Sequence, residues 1–164
     1  MKLPEDIATL AADAVAALIA GKLTIATAES CTGGLICGAL TAVPGSSEAV
    51  YGGFVTYANE AKIGMIGVPY ALLKQYGAVS KEVAIAMAEG ALGTAGTHLA
   101  IAVTGVAGPG GGTADKPVGL VHFALATEDE TIHVRKLFTD LDRDGVRHAT
   151  VLQALGMVLK AARS

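Results

Sequence analysis

The amino-acid sequence predicts an α/β protein, a three-layer α/β/α sandwich built on a mixed sheet of about five strands. Runs of apolar, β-branched residues alternate with stretches of helical periodicity, and 21 glycines punctuate the turns between them. Hydrophobic residues make up 52% of the chain and charged residues 16%, which excludes a disordered protein. We expect a single domain over residues 1–164 with a substantial buried core.

The predicted elements follow one another in a regular order. Apolar residues recur at helical spacing from Ile7 to Ile19, after Pro4, and Gly21 ends this first helix. Further helices are predicted at 33–41, 59–65 and 69–76, from Ser80 onward, and from about Asp142. Strands are predicted at 23–28, 52–57, 98–104, 118–127 and 131–138. The last two strands form a hairpin around 128–130, so the sheet contains an antiparallel pairing.

Polar or glycine-rich segments follow three of the predicted strands. Glu29 and Ser30 end the first strand, Tyr57 ends the second, and Thr104 with Gly105 ends the third. In open α/β sheets, ligands bind outside the carboxyl ends of the strands. We therefore expect the functional site to be built from these three strand ends.

Charge and composition exclude several classes of partner. A net charge of −3 and a pI near 5.7, with no basic stripe interleaved with aromatic residues, argue against nucleic-acid binding. No basic region leads into an apolar signal core at the start, and the uncharged stretch 30–47 is broken by Gly and Pro, so no membrane association is expected. Cys31 and Cys37 lack metal-ligand neighbours, which indicates reduced thiols in the cytoplasm. The four histidines are scattered, so no metal is expected.

The segment "AESCTGG" (28–34) carries three candidate functions. A helix N-terminus after Gly33 and Gly34 favours an anion, with Ser30 and Thr32 hydroxyls as added donors, but the same pattern suits a simple helix cap. Ser30 as a nucleophile lacks the G-x-S-x-G elbow. Cys31 is more typical of a small buried residue than of a reactive thiol.

The segments "PGSS" (44–47) and "TYANEAK" (56–62) form a second constellation. A neutral lysine can deprotonate a serine when burial lowers its pKa, and a tyrosine can assist the proton transfer. Ser47, Tyr57 and Lys62 are the residues that could act in this way. An ordinary turn and a solvated lysine on a short helix explain the same spacing.

Two further segments could hold a phosphate. The loop from Gly105 to Gly112 has five glycines, Gly108 among them, and its backbone N–H groups could approach an anion, although it is not a P-loop. In "DRDGVR" (142–147), Arg143 and Arg147 lie four residues apart on one helix face and could bind a phosphate. A flexible loop and a solvated first helical turn remain the alternatives.

Taken together, the ordered segments resemble the CinA C-terminal domain family, the nicotinamide-nucleotide amidases also called PncC. The resemblance rests on "TAESCTGG" (27–34), "PGSS" (44–47), "GGFVTYANEAKIGMIGV" (52–68), "GAVS" (77–80), "VTGVAGPGGGTADKPVG" (103–119) and "DRDGVR" (142–147). It extends over nearly the whole chain, from the first helix to the last.

The resemblance implies hydrolysis of the carboxamide of nicotinamide mononucleotide to nicotinic acid mononucleotide and ammonia, in pyridine nucleotide salvage. It implies Ser47 as nucleophile, Lys62 as base and Tyr57 as an assisting group, with no metal or organic cofactor. It also implies that Thr104 and an arginine of the last helix help to hold the ligand. Together with the candidate anion-binding segments, the expected substrate contacts are Glu29, Ser30, Thr32, Gly33, Gly34, Thr104, Gly105, Gly108, Arg143 and Arg147.

Two other functions are compatible with the same segments. A nucleotide-binding regulatory module without turnover would keep the anion-binding elements but would not need a Ser–Tyr–Lys set. A hydrolase of another amide or of a pyrophosphate bond would keep that set. The apolar surplus and the few charges also make a homo-oligomer the expected assembly.

Overall fold

The structure is a computed structural model that describes residues 2–164. Its helices are α1 (Glu5–Ala20), α2 (Leu35–Thr41), α3 (Asn59–Ile66), α4 (Tyr70–Tyr76), α5 (Lys81–Ala95) and α6 (Arg143–Ala162). Its strands are β1 (Ile25–Glu29), β2 (Val50–Val55), β3 (Leu99–Gly105), β4 (Leu120–Ala126) and β5 (Thr131–Leu137). Each predicted element is present with its bounds moved by a few residues, and the fold class is confirmed.

The strand order decides where a ligand can bind. The sheet runs β2-β1-β3-β4-β5, with β2, β1 and β3 parallel and β4 and β5 antiparallel to their neighbours. The chain leaves β1 for β2 on one side and later returns to β3 on the other side. The connections therefore diverge between β1 and β3, and a crevice opens at the carboxyl ends of these two strands.

Helices cover both faces of the sheet. One apolar cluster joins α1, α2 and α6 to the first face, and a second joins α3, α4 and α5 to the other. The fully buried strand residues of this second cluster are all alanines, namely Ala28, Ala100, Ala102, Ala124 and Ala126. Because their side chains are small, α5 lies close to the sheet and its own buried residues Val83, Met87 and Ala91 complete the layer.

Gly90 brings α3 against α5. A Cβ atom at this position would lie 1.9 Å from the backbone oxygen of Ile66, so only glycine permits the contact. Although glycine is a weak helix residue, α5 continues through Gly90 and Gly93. The buried residues of α3 are Lys62 and Ile66, one turn apart on the face that meets α5. The glycine contact therefore holds the helix that carries Lys62.

None of the helices within residues 2–164 combines the length and the apolar character that a membrane crossing requires.

Replacing Gly90 with alanine should destabilise the protein by about 1–3 kcal/mol, because the added methyl group forces α3 and α5 apart. Gly93→Ala is the matched control in the same helix, since its Cβ would meet nothing within 4 Å. We expect Gly93→Ala to stabilise the protein by about 0.5–1 kcal/mol through helix propensity. Chemical denaturation measures both free energies of unfolding, and equal effects of the two substitutions would contradict the contact.

Candidate active site

A pocket of about 200 Å³ opens at the crevice between the carboxyl ends of β1 and β3. Its polar lining comes from three strand ends and from the first turn of α6. The lining residues are Ser30, Cys31, Tyr57, Lys62, Ala78, Val79, Thr104, Gly105, Ala107 and Arg143. The three strand ends expected to meet at one site do meet here.

The amine of Lys62 is the central group of the pocket. Its Nζ atom lies 3.1 Å from Ser30 Oγ, 2.7 Å from the Thr56 carbonyl oxygen and 3.3 Å from the Tyr57 carbonyl oxygen. The side chain is 1% exposed. Within residues 2–164, no carboxylate lies within 4.0 Å of this amine. Lys62 is therefore a buried base without a counter-ion.

The surroundings of Lys62 favour its neutral form. Burial lowers the pKa of Lys62 from 10.5 to about 8, since desolvation penalises the ammonium. A neutral amine has two N–H donors and one lone pair. The two carbonyl oxygens can take the two hydrogens, and the lone pair is then left to accept the hydroxyl hydrogen of Ser30. The contacts of the amine match a serine–lysine pair poised for proton transfer.

The turn after β1 presents Ser30 to the lysine. The Ser30 backbone N–H donates to the Val103 carbonyl at 3.1 Å, and its carbonyl accepts from the Gly33 N–H at 3.1 Å. Within the described chain, the backbone N–H groups of Cys31 and Thr32 find no acceptor. Burial raises the pKa of the Cys31 thiol to about 12, so this thiol stays protonated and is a poor nucleophile.

The expected contact of Glu29 and Thr32 with a ligand is wrong. Both side chains are 0% exposed, and the Glu29 carboxylate instead accepts five hydrogen bonds from the protein itself. The donors are the hydroxyls of Thr27 and Thr32 and the backbone N–H groups of Gly34, Ile36 and Cys37. The N-terminus of α2, which we expected to bind an anion, is already occupied by an internal carboxylate.

The expected pairing of Ser47 with Lys62 is also wrong within this chain. Ser47 lies in the short 3-10 turn Ser46–Glu48 before β2, whereas Lys62 follows the other end of β2. Five residue steps of an extended strand separate these ends by about 16 Å. Ser47 lines a separate pocket with Thr24 and Thr97, at the amino ends of the strands. The lysine contacts Ser30 instead.

The two arginines of α6 point to different places. Arg143 lines the pocket, where its Nη1 donates to the Gly108 carbonyl at 2.8 Å and its Nη2 donates to the Tyr57 hydroxyl at 3.3 Å. Arg147 does not line this pocket, and its Nη2 donates to the Thr32 carbonyl at 3.2 Å. Only Arg143 presents a guanidinium to a ligand bound beside Ser30.

The remaining predicted contacts fall into two groups. Thr104 and Gly105 line the pocket, and the Thr104 hydroxyl donates to the Ala78 carbonyl at 2.8 Å. Gly33 and Gly34 turn the chain into α2 with positive φ angles of 60° and 99° and do not line the pocket. Gly108 enters only as the acceptor for Arg143.

Sequence reasoning missed the apolar part of the lining. Ala78 and Val79 come from the segment between α4 and α5, and Ala107 comes from the glycine loop. The only sequence signal for the first two is the short "GAVS" segment, which carries no chemistry of its own.

In residues 2–164, no three side chains of His, Cys, Asp or Glu are grouped as metal ligands would be.

The fold and the pocket together define an α/β protein with a serine–lysine pair at its topological switch point. The sequence profile described as the CinA C-terminal domain matches residues 7–162, and the chain belongs to this family. A CinA-like protein of Acidobacterium capsulatum is 51% identical over 82% of this chain, and the match covers 32% of that protein. A relative from Symbiobacterium thermophilum is 51% identical over 88% of this chain and 36% of its own length. The chain thus spans about a third of these curated relatives.

Solved structures of the family superpose closely on this fold. The competence/damage inducible protein CihA from Agrobacterium tumefaciens is 48% identical, with a TM-score of 0.95 and all of both chains covered. A CinA superfamily protein from Escherichia coli is 36% identical, with a TM-score of 0.91 over 98% of this chain and 94% of that one. The resemblance to the CinA C-terminal domain family is confirmed.

The buried amine should make the stability of the protein depend on pH between about 8 and 10.5. Because the pKa of Lys62 is lower in the folded state, folding releases its proton, and stability present above pH 10.5 is lost as the pH falls to about 8. In Lys62→Met this dependence disappears. We expect the unfolding free energy of the wild type, minus that of the variant, to rise by about 2 kcal/mol across this window. Urea denaturation at several pH values measures it, and parallel curves would contradict a depressed pKa.

Proposed function

We propose that this chain hydrolyses the carboxamide of nicotinamide mononucleotide to nicotinic acid mononucleotide and ammonia, with Ser30 as nucleophile and Lys62 as general base. The observation that carries the proposal is the buried amine with a pKa of about 8, which lies 3.1 Å from the Ser30 hydroxyl and has no carboxylate partner within residues 2–164. A module that only binds nucleotides would gain nothing from burying a lysine in this way, because a buried amine without an ion-pair partner costs stability.

The reaction starts at the Ser30 hydroxyl. As Oγ attacks the carboxamide carbon, its proton passes to the lone pair of Lys62. The ammonium formed returns a proton to the leaving nitrogen when the C–N bond breaks, and ammonia departs. Water then attacks the acyl-serine ester with Lys62 again as base, which releases the carboxylate and restores the hydroxyl. No step requires a metal or an organic cofactor.

An unpaired backbone N–H group next to Ser30 suits the developing negative charge. The N–H groups of Cys31 and Thr32 have no acceptor within residues 2–164 and directly follow the nucleophile in the chain. Donors at this position stabilise the oxyanion of a tetrahedral intermediate, commonly by about 3 kcal/mol for one donor. We assign the oxyanion to the Cys31 N–H, because Cys31 lines the pocket whereas Thr32 is fully buried.

The nucleotide part of the substrate would extend toward Arg143. This residue supplies the only guanidinium in the pocket lining, and a guanidinium binds a phosphate with paired hydrogen bonds. Tyr57 is 62% exposed and shares a hydrogen bond with Arg143, so it forms the outer wall. Thr104 and Gly105 would contact the ring at the floor of the pocket.

The free cysteines Cys31 and Cys37 support a cytoplasmic location.

We also propose a homo-oligomer through the β2 edge of the sheet. Seven of the ten large apolar side chains exposed within residues 2–164 fall in the segment 51–76, which runs from β2 to α4: Tyr51, Val55, Tyr57, Ile63, Met65, Tyr70 and Tyr76. No charged residue occurs from Ala49 to Asn59. The opposite edge strand, β5, carries Arg135 and Lys136, which protect an edge from pairing. A second copy of the chain, related by a two-fold axis, would pair β2 with β2 and cover this surface.

Replacing the nucleophile or the base should remove turnover. We expect purified Ser30→Ala and Lys62→Met to release ammonia from nicotinamide mononucleotide at least about 1,000-fold more slowly than the wild type, because each removes a member of the reacting pair. Ser47→Ala should retain turnover, since Ser47 lies at the other end of β2. A coupled ammonia assay measures all three rates under identical conditions.

The same assay separates the competing functions. Full activity of Ser30→Ala together with loss of activity in Ser47→Ala would return the nucleophile to Ser47. Binding of the mononucleotide without any ammonia release by the wild type would instead support a nucleotide-binding module. Ammonia release from other amides but not from the mononucleotide would support a different amidase.

A charge on the β2 edge should break the proposed dimer. We expect light scattering to give the wild type twice the 16.4 kDa mass of one chain, and Val55→Lys to give the mass of one chain. Ile132→Lys is the matched control, because Ile132 is 46% exposed on the β5 edge and Val55 is 45% exposed on the β2 edge. A dimer that persists in Val55→Lys, or one lost only in Ile132→Lys, would contradict this interface.

A further inference from the structure

The Glu29 carboxylate is the most heavily hydrogen-bonded side chain beside the pocket, yet it touches no ligand site. Its Oε2 accepts from the Thr32 hydroxyl at 2.6 Å, from the Ile36 N–H at 3.0 Å and from the Gly34 N–H at 3.1 Å. Its Oε1 accepts from the Cys37 N–H at 2.8 Å and from the Thr27 hydroxyl at 3.0 Å. Burying a carboxylate this completely is costly unless all its lone pairs are occupied.

The charge of Glu29 is balanced by the backbone rather than by a cation. No Lys, Arg or His nitrogen lies within 4.0 Å of this carboxylate in residues 2–164. Three of its five donors are N–H groups at the start of α2, where the helix dipole is positive. The carboxylate therefore ties the end of β1 directly to the first turn of α2.

This tie closes the turn that carries Ser30. Residues 30–33 are the only chain between Glu29 and its first backbone donor, Gly34, so the carboxylate fixes both ends of a four-residue turn. The Glu29 backbone carbonyl also accepts from the Thr56 N–H at 2.9 Å, and the Thr56 carbonyl accepts from Lys62. One residue thus anchors the turn of the nucleophile and the strand end that orients the base.

The same arrangement leaves the proposed oxyanion donor, the Cys31 N–H, without an acceptor in residues 2–164. The carboxylate takes the N–H groups of Gly34, Ile36 and Cys37 but not those of Cys31 and Thr32. The Thr32 hydroxyl is held on Oε2 by the shortest contact of the set, 2.6 Å. The peptide between Cys31 and Thr32 is therefore held in place by its side chain while its N–H stays unpaired.

We propose that Glu29 is the positioning residue for Ser30: its buried carboxylate holds the 30–33 turn so that the serine hydroxyl meets Lys62 and the Cys31 N–H faces the reacting carbonyl. This inference rests on the function proposed above. Glutamine cannot substitute for the carboxylate, because its NH₂ group would face N–H donors whichever way the amide is turned. A misplacement of about 1 Å at a reacting atom can slow a reaction about 100-fold.

The test measures the reactivity of Ser30 itself with a fluorophosphonate, a serine-directed electrophile. The Oγ–P bond forms as the P–F bond breaks, fluoride leaves, and Lys62 takes the hydroxyl proton. Mass spectrometry of the intact protein gives the labelling rate, and Ser30→Ala reports any label on other residues. We expect Glu29→Gln to be labelled about 100-fold more slowly than the wild type. Its kcat for ammonia release should fall in parallel while KM stays within about twofold.

Two further variants separate positioning from general stability. Thr32→Val removes one donor to the carboxylate and should slow labelling about 10-fold. Thr150→Val is the matched control, since Thr150 is equally buried and its hydroxyl donates at 2.7 Å to the Val146 carbonyl within α6. It should lose similar stability and keep the wild-type labelling rate. If Glu29→Gln does not fold, Thr32→Val decides the question.

The outcomes distinguish this inference from the proposed function. Labelling of folded Glu29→Gln, or of Thr32→Val in its absence, at the wild-type rate would overturn the positioning role and leave Ser30 as nucleophile. Slower labelling of Thr150→Val to the same degree would show a loss of stability instead of positioning, and would also overturn it. A wild-type protein that neither takes the label on Ser30 nor releases ammonia would overturn the proposed function, and the positioning role with it.

Discussion

The proposed chemistry depends on burying one lysine amine where, within residues 2–164, two backbone carbonyls and one hydroxyl are its only partners. The carbonyls of Thr56 and Tyr57 come from the end of β2, and the hydroxyl comes from Ser30 after β1. Neutral partners stabilise an ammonium less than water does, so the pKa of Lys62 falls to about 8. Three separate parts of the fold must meet to create this base: the end of β1, the end of β2 and the inner face of α3.

Two internal constraints hold these parts together from opposite faces of the sheet. On one face, Gly90 lets α5 touch the backbone of α3 and so seats Lys62. On the other face, the Glu29 carboxylate binds the first turn of α2 and closes the turn that carries Ser30. The first constraint is steric and the second is electrostatic. Both involve atoms that no ligand reaches, which is why neither is visible from the lining of the pocket.

The sequence was a good guide to residue types and a poor guide to pairing. Lys62, Tyr57, Thr104, Gly105 and Arg143 were all predicted at the site, and all line the pocket. The family resemblance implies Ser47 as nucleophile, and the G-x-S-x-G pattern is absent around Ser30. Ser47 and Lys62 lie at opposite ends of β2, because an extended strand carries the chain away from its starting point. Ser30 and Lys62 follow the carboxyl ends of the parallel strands β1 and β2, and these ends lie at the same edge of the sheet.

The sequence by itself determined the order of the elements, the mixed sheet and the edge of the sheet at which the site lies. These features follow from apolar periodicity, glycine turns and β-branched runs, which reflect local preferences and burial patterns that repeat along the chain. Tertiary structure alone decided which serine meets the lysine, which arginine faces the pocket and that the α2 N-terminus is occupied by Glu29. Each of these is a contact between atoms of different elements, within hydrogen-bond distance. Such contacts depend on strand register, on the crossover connections and on the rotation of each helix. A shift of one residue along a strand or a helix is enough to change them.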